Sequence, residues 1–266
     1  MSLRNAMAHR NLLYLLTLKE LRTRYKKSAL GWAWSLLNPL SQMVIFSIVF
    51  LKIFDAKAQT GDPSGLTNFP LYFLSGLVPW NFFAISIGTA IGNVQGGSGL
   101  IKKVAFPHEH LVLSVVAAQF VTLLIETGIL AIALLIFSGP KVLLWLPLLL
   151  VAYLLWALLV TGVSLTLSAA NVFFHDVNYL WGIVTQLLFY ATPIIYFTAT
   201  IPVALLRHTA NWGPTGTFIT AFHELMYDGR MPGLGRWVYM AMLAAVSLAF
   251  GAWFFHRLSP RFAEEM

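Results

Sequence analysis

The sequence contains no cysteine among its 266 residues. Disulfide bonds, thiolate chemistry and cysteine zinc sites are therefore excluded. Charged residues are also scarce, since they make up 10% of this chain against roughly a quarter of a soluble domain. Together with 58% hydrophobic residues and a mean hydropathy of +0.75, this indicates an integral membrane protein. The net charge of +7 would suggest nucleic-acid binding in a soluble protein, but in this class we expect no nucleic-acid partner.

Motifs for covalent chemistry are missing as well. The sequence has no His-x-x-x-His, Asp-x-x-Asp or Gly-x-Ser-x-Gly spacing, and no Gly-x-x-x-x-Gly-Lys-Ser/Thr loop that would cradle a nucleotide phosphate. An enzyme working at a membrane needs clustered acids, bases or metal ligands. We therefore predict that the chain is not an enzyme, has no catalytic residue, and holds no metal or cofactor of its own.

Glu126 is the single acidic residue inside the long apolar runs. Thr122 and Gln119 precede it by one and two helical turns, respectively, on the same face. A carboxylate in the middle of a membrane span costs several kcal/mol unless it is protonated or paired. Two interpretations stay open: a proton or ion relay, or a hydrogen-bonded packing site between helices. The second is favoured because no other intramembrane acid or base is available to pass a proton on.

Residues 8–28 are predicted to form an amphipathic helix. Their apolar residues follow a 4-3-4 spacing along one face: Tyr14, Leu18, Leu21 and Tyr25. A parallel stripe of cations lies ~100° away on the helix and consists of Lys19, Arg22 and Lys26. Such a helix lies in the membrane interface, with its apolar face in the lipid and its cations toward the headgroups.

Six apolar runs follow, each with the ~20 residues that cross ~30 Å of hydrocarbon. They cover residues 34–54, 69–93, 111–137, 142–169, 179–196 and 236–255. The fold class is thus an all-α membrane protein with one transmembrane domain over residues 1–266, a six-span bundle at 34–257 and a tail at 258–266. Residues 198–234 mix apolar and polar residues, and we predict one or two short re-entrant helices in the outer leaflet.

The orientation follows from the distribution of lysine and arginine. An even number of spans places both termini on one side, and that side then carries eleven of the 17 cations. Because short cytoplasmic loops carry an excess of cations, the termini are predicted to be cytoplasmic. The segment 198–234 would then lie outside.

A short segment between the second and third runs, residues 96–107, carries two adjacent lysines and ends at a proline. The residue before a proline is pushed out of the helical region, so a helix here has one or two turns. Its apolar side chains are expected to point outward: Leu100, Ile101, Val104 and Phe106. We interpret it as a cytoplasmic amphipathic helix that docks onto a soluble partner; an ordinary solvated loop is the alternative.

Aromatic residues make up 14% of the chain, including nine tryptophans. An aromatic belt at the membrane edges accounts for most of them. A subset could instead line a path for sugars, because aromatic faces stack on pyranose rings. The candidates for such a path are Trp34, Trp80, Phe82, Phe83, Tyr190, Tyr196 and Phe197.

Several motifs together resemble the membrane subunits of ABC-type polysaccharide exporters, the permeases for O-antigen, capsule and teichoic acid chains. The matching stretches are Leu18–Tyr25, Leu30–Trp34, Asn38-Pro39, Leu74–Phe83, Leu100–Pro107, Thr192–Tyr196 and Ser259–Glu264. The chain departs from the family pattern at His108, where an arginine is frequent, and around Asn211–Pro214 and His223-Glu224.

The resemblance implies a homodimer associated with two ATPase subunits, which bind ATP and magnesium. It implies a channel at the dimer interface of a bacterial inner membrane, through which a lipid-linked glycan moves outward. The contact with the ATPase would be made by Leu100, Ile101, Lys102, Lys103, Val104, Phe106, Pro107 and Glu20. A basic rim suits the pyrophosphate of the lipid carrier and consists of Arg22, Arg24, Lys26 and Lys27.

Two other functions remain open from the residues. One is an ABC permease of the same architecture for drugs or small lipids. The other is an intramembrane transferase acting on polyprenyl lipids, which would require clustered acids that the sequence lacks.

Overall fold

The fold is described by a computed structural model for residues 3–24, 31, 33–53, 60–97, 99, 106–139 and 144–265. Within these ranges the regular structure is helical, without a strand. The α-helices are α1 (Leu3–Arg24), α2 (Ala33–Ser47), α3 (Phe69–Gly96), α4 (Glu109–Ser138), α5 (Leu146–Phe173), α6 (Val177–Ala191), α7 (Ala204–Trp212), α8 (Pro214–His223), α9 (Leu234–Leu258) and α10 (Phe262–Glu265). A π-helical stretch, Ile48–Ile53, continues α2, and another, Glu224–Asp228, follows α8.

Four helices of the described chain are long and apolar enough to cross a membrane: α3, α4, α5 and α9. The first predicted span is shorter as an apolar helix, Leu36–Phe50, and contains Pro39 in its interior. The fifth predicted span is reduced to the 15 residues of α6. This helix ends at Ala191, and the backbone of the following Thr192 is extended, because a residue before proline avoids the helical region.

The centre of the bundle is built around α3, which contacts α2, α4, α5 and α8. Trp156 of α5 is fully buried there. Its ring stacks on Phe83 with centroids 5.1 Å apart and lies 4.7 Å from the ring of Phe218. Its indole N–H donates to the carbonyl oxygen of Pro79 at 3.0 Å. A large indole is thereby accommodated without leaving its donor unsatisfied in the core.

Helices α5 and α9 approach so closely that glycine is required at their crossing. A Cβ atom added to Gly251 would overlap the backbone of Gly162, and one added to Gly162 would overlap the carbonyl of Ser247. The Ser247 hydroxyl donates to the carbonyl oxygen of Leu159 at 2.9 Å. Small residues and a serine hydrogen bond are the usual means by which helices pack in a membrane, where the lipid is as apolar as the side chains.

Helix α1 packs along α4, a contact that the sequence analysis did not predict. Leu16 is buried and Leu12 packs beside it, whereas Tyr14 of the predicted apolar stripe is 66% exposed. These leucines lie on the side of the helix opposite Tyr14. The helix therefore has two apolar faces, one held by the bundle and one left outward. Residues 25–28 of the predicted helix lie outside the described ranges.

Candidate functional sites at the two ends of the bundle

The bundle has two ends with different chemistry. Helices α3 and α9 both end at one side of the bundle, which we call the terminal end. Its apolar core includes Leu16, Phe106, Leu111, Phe255 and Phe262. The opposite end, at which α3 and α9 begin, carries the short helices α7 and α8. The sequence predicts a docking segment and a basic rim at the terminal end, and a set of path-lining aromatic residues along the bundle.

At the terminal end, the residues before and after the predicted docking helix are held in place. The N–H of Gly97 donates to the carbonyl oxygen of Asn93 at 3.0 Å, and the Asn93 side chain donates to the carbonyl oxygen of Leu111 at 2.9 Å. The end of α3 is thereby tied to the start of α4. The residues that were predicted to contact the partner lie outside the described ranges: Leu100, Ile101, Lys102, Lys103 and Val104.

Phe106 corrects one of the predictions for this segment. It was expected to point outward, but it is only 9% exposed and belongs to the core of the terminal end. Its ring meets His108 edge-on at 5.4 Å, and His108 in turn lies 6.1 Å from Phe262 of the tail. Burial lowers the pKa of His108 from its ordinary value, so this ring is neutral near pH 7. Phe106 and the following Pro107 therefore anchor the segment to the bundle.

Glu20 also faces the bundle. It lines a cavity of about 210 Å³ between α1, α3 and α4, together with Leu21, Thr89 and Gln119. Its side chain is 18% exposed, with a carboxylate oxygen 3.9 Å from the ammonium of Lys19. Within the predicted basic rim, Arg22 is exposed. The side chain of Arg24, with Lys26 and Lys27, lies outside what the structure describes.

The seven candidate path-lining aromatics separate into two groups. Trp80, Phe82 and Phe83 are 3–4% exposed and pack inside a single chain, where Phe83 contacts Trp156 and Trp181. Rings buried in this way present no face to a channel between two copies, so the prediction is corrected for these three. Trp34 and Tyr190 are 50% and 61% exposed. Tyr196 and Phe197 are half-buried.

Glu126 is 9% exposed on α4. The neighbouring Thr127 hydroxyl lies 2.9 Å from the Tyr153 hydroxyl of α5, so polar groups do face the contact between these two helices. The choice between a relay and a packing site stays a prediction. Within the described ranges, no group of three or more His, Asp and Glu is placed to hold a metal ion.

At the opposite end, a buried polar network ties α3 to α8 and to the break after α6. The ring of His223 stacks on Tyr72 with centroids 3.9 Å apart. The two nitrogens of His223 lie 2.8 Å from the Ser75 hydroxyl and 3.0 Å from the carbonyl oxygen of Pro193. The Tyr72 hydroxyl donates to the carbonyl oxygen of Tyr196 at 2.9 Å. The non-helical backbone after α6 is thus held by side chains from two other helices.

A second network at this end is charged and centres on Arg236, which is 8% exposed at the start of α9. Its Nε lies 3.4 Å from Glu224 Oε2, and both of its terminal nitrogens donate to Asn211 Oδ1 at 3.3 Å. Its guanidinium stands 5.1 Å over the Trp212 ring. Glu224 also accepts a hydrogen bond from Arg230 at 3.1 Å. Arg236 therefore joins α7, α8 and α9 at one point.

This charged network was not predicted from the sequence, although a signal was present. Four charged residues fall between positions 224 and 236 of a chain in which one residue in ten is charged. Such a concentration in a segment that also contains many apolar residues indicates buried pairing, because unpaired charges avoid an apolar environment. The pairing partner Asn211 could not be identified in this way, since a local count does not show long-range contacts.

A cavity of about 230 Å³ opens beside this network. Its wall combines aromatic rings, hydroxyl groups and charged groups from α3, α8, the segment after α6 and the residues before α3: Thr60, Asp62, Tyr72, Pro193, Phe197, Thr198, Ala199, Thr220, His223, Glu224, Asp228 and Arg230. Burial raises the pKa of Asp228 to about 6, although Arg230, whose Nε is 3.5 Å away, opposes the shift.

Comparison with known proteins gives a consistent result. The profile of the ABC-2 type transporter family matches residues 11–227. The chain is 28% identical over 260 residues to an O-antigen export system permease protein RfbA of Klebsiella pneumoniae, covering 96% of this chain and 94% of that protein. It is 27% identical over 271 residues to the RfbA permease of Myxococcus xanthus, covering 99% and 98%. It is 23% identical over 239 residues to the polysialic acid transport protein KpsM of Escherichia coli, covering 89% of each.

Proposed function

Because this chain belongs to the ABC-2 type transporter family, we propose that it is the membrane subunit of an ATP-driven polysaccharide exporter. Its cargo is a lipid-linked polysaccharide or polyol-phosphate polymer, which it moves from the cytoplasm to the outer side of the bacterial inner membrane. The observation that carries this proposal is the similarity to O-antigen export permeases over almost the whole chain. Those relatives favour a polymer over the drugs or small lipids of the alternative permease.

The proposed architecture has six crossings and cytoplasmic termini. Helices α3, α4, α5 and α9 supply four of them, and α2 with its π-helical continuation supplies the first. Helix α6 would rise only about 22 Å at 1.5 Å per residue, so the residues after it would complete the fifth. That non-helical backbone is tolerable at membrane depth if protein covers it, and residues 192–195 are buried. Helices α7 and α8 are the re-entrant pair.

The proposed homodimer uses the outward face of α6. Its exposed residues recur at helical spacing along one side: Tyr179, Ile183, Leu187 and Tyr190, which are 60–77% exposed. Trp34 of α2 is exposed as well. In this arrangement the path lies between two copies, and Trp34 and Tyr190 remain its candidate lining.

The energy is proposed to come from two copies of an ATPase subunit, which bind ATP and magnesium. The short segment ahead of Phe106 lies in the chain between α3 and α4. In this proposal it transmits the closing movement of the two ATPase subunits to these helices. In support of this, its flanks are tied to both helices by the contacts of Gly97, Asn93 and Phe106. A rigid anchor is needed if a movement at the segment is to reach the helices rather than be absorbed in a loose loop.

The double substitution Leu100→Asp with Ile101→Asp tests this function. We expect loss of ATPase copurification and at least a tenfold drop in surface polysaccharide in a strain that carries no other copy of this permease. Burying two carboxylates in an apolar contact costs several kcal/mol. Copurification and an immunoblot of surface polymer are the measurements.

The matched control is the pair Leu205→Asp with Leu206→Asp, two exposed neighbouring leucines of α7 at the other end of the bundle. This variant should still retain the ATPase, because the change lies far from the docking segment. A wild-type chain that restores no surface polymer, or that retains no ATPase, would rule out the proposed function.

The basic rim gives a second prediction, which concerns the cargo. Changing Arg24, Lys26 and Lys27 together to glutamine should lower export about tenfold or more while ATPase copurification stays unchanged. Each cation near an anionic membrane surface contributes about 1 kcal/mol of attraction, and the diphosphate of a lipid carrier is such an anionic group. Surface polymer per cell is the measurement, with Lys52→Gln as a single-cation control. Unchanged export in the triple variant would remove the rim from the cargo path.

A further inference from the structure

The cavity beside Arg230 has the composition of a ligand site. Three carboxylates, a guanidinium and threonine hydroxyls converge on one space of about 230 Å³. Drug-sized ligands occupy cavities of roughly 300–1,000 Å³, so this space suits a single ring-sized group. It opens to the surface, because the Arg230 side chain on its wall is 47% exposed.

Two oxygen atoms of residues that line the cavity lack a hydrogen-bond partner within the described part of the chain. Glu224 is 8% exposed, and its Oε2 makes no hydrogen bond, although Arg236 Nε is 3.4 Å away as an ion pair. The hydroxyl of Thr220 on α8 is also buried and unpartnered. Glu224 Oε2 is compensated by Arg236, whereas a buried hydroxyl without a partner is unfavourable. A ligand group that bonds the Thr220 hydroxyl would recover that free energy.

We propose that this cavity binds one neutral or amino-substituted sugar ring of the exported polymer, at the outer end of the path. This inference rests on the proposed function. Sugar hydroxyls donate to carboxylates and accept from guanidinium groups, and the wall provides both kinds of partner in Glu224, Asp228 and Arg230. Phe197 supplies an apolar surface for the ring carbons.

The charge of the site selects among sugars. Asp62, Glu224 and Asp228 face the cavity against Arg230, while Arg236 pairs with Glu224 from behind. Three carboxylates against two guanidinium groups leave one net negative charge. Uronic acids, sialic acids and phosphorylated sugars are therefore disfavoured, because their anionic groups would lie beside carboxylates of like charge in a partly enclosed site.

Saturation-transfer NMR on the full chain in lipid nanodiscs tests the proposal, with methyl glucoside, methyl glucosaminide and the methyl glycoside of glucuronic acid as probes. Nanodiscs are needed because maltoside detergents carry sugar rings themselves. We expect signal transfer to the glucoside and the glucosaminide, and at least fivefold less to the glucuronide. The variant Thr220→Val should reduce the glucoside signal at least fivefold without lowering thermal stability, because the lost hydroxyl has no partner among the described residues.

Thr185→Val is the matched control, since Thr185 also has a buried, unpartnered hydroxyl but lies on α6 away from the cavity. It should bind the glucoside as the wild type does. If Thr220→Val does not fold, Asp228→Asn provides the second variant, with the same expected loss. Equal glucoside signals in wild type and cavity variant, or an equal signal for the glucuronide, would overturn the proposal. Polymer export by the wild-type chain is measured separately, so failure of the sugar-site proposal can be distinguished from failure of the proposed export function.

Discussion

Replacing Gly251 with valine should abolish formation of the folded bundle. A Cβ atom at this position overlaps the backbone of Gly162 on the facing helix, and the reciprocal addition at Gly162 overlaps the carbonyl of Ser247. Backbone atoms cannot rotate away as a side chain can, so α5 and α9 would have to separate. Separation removes the hydrogen bond from Ser247 to Leu159 and the packing along the crossing. We expect a loss of more than about 4 kcal/mol, the range of the most damaging core substitutions.

The measurement is the yield of monodisperse protein after solubilisation, followed by thermal unfolding of any that remains. Gly128→Ala serves as the control, because Gly128 lies in the middle of α4 and an added Cβ would meet nothing within 4 Å. Exchange of an interior helical glycine for alanine is favourable by up to about 1 kcal/mol, so this variant should be as stable as the wild type or slightly more stable. A Gly251→Val protein that unfolds at the wild-type temperature would show that the two helices do not cross here.

The long helices could be predicted from the sequence because each is a local feature. Apolar runs at 69–93 and 111–137 became Phe69–Gly96 and Glu109–Ser138, and the last run became Leu234–Leu258. The fifth run, predicted as 179–196, is shorter as a helix, and a local rule accounts for its early end: the effect of Pro193 on the residue before it. One or two short helices were expected between the fifth and sixth runs, and α7 and α8 are found there.

The direction in which side chains point could not be obtained in the same way. In a membrane protein, similar residues occur on helix faces that contact lipid, a second copy or the core, because lipid is as apolar as leucine. Trp80, Phe82 and Phe83 were assigned to a path on chemistry alone, and the fold places them in the core. Phe106 was assigned outward from its place beside a charged segment, and the fold buries it among α1, α4 and the tail.

Replacing Arg236 with methionine should destabilise the packing of α7 and α8 against α9 by about 3–5 kcal/mol, the usual cost of removing one partner of a buried ion pair. Glu224 would keep only Arg230, and Asn211 would lose both of its 3.3 Å hydrogen bonds to the guanidinium. Arg236 also donates to the carbonyl oxygen of Thr217 at 3.5 Å. Lysine at this position keeps the charge, but one ammonium group cannot reach Glu224, Asn211 and that carbonyl together. We therefore expect Arg236→Lys to lose less than Arg236→Met but not to match the wild type. Thermal unfolding in nanodiscs and limited proteolysis within residues 198–234 are the measurements.

A second change distinguishes loss of the charge pair from loss of packing. If the damage in Arg236→Met comes from the uncompensated carboxylate, then adding Glu224→Gln should restore part of the stability, because the buried negative charge is gone. Arg207→Met is the control for arginine removal, since Arg207 is exposed on α7 and its loss should change the free energy of unfolding by less than about 0.5 kcal/mol. If the double variant were as unstable as Arg236→Met alone, the hydrogen bonds to Asn211 and Thr217, rather than the ion pair, would hold α7 and α8 against α9.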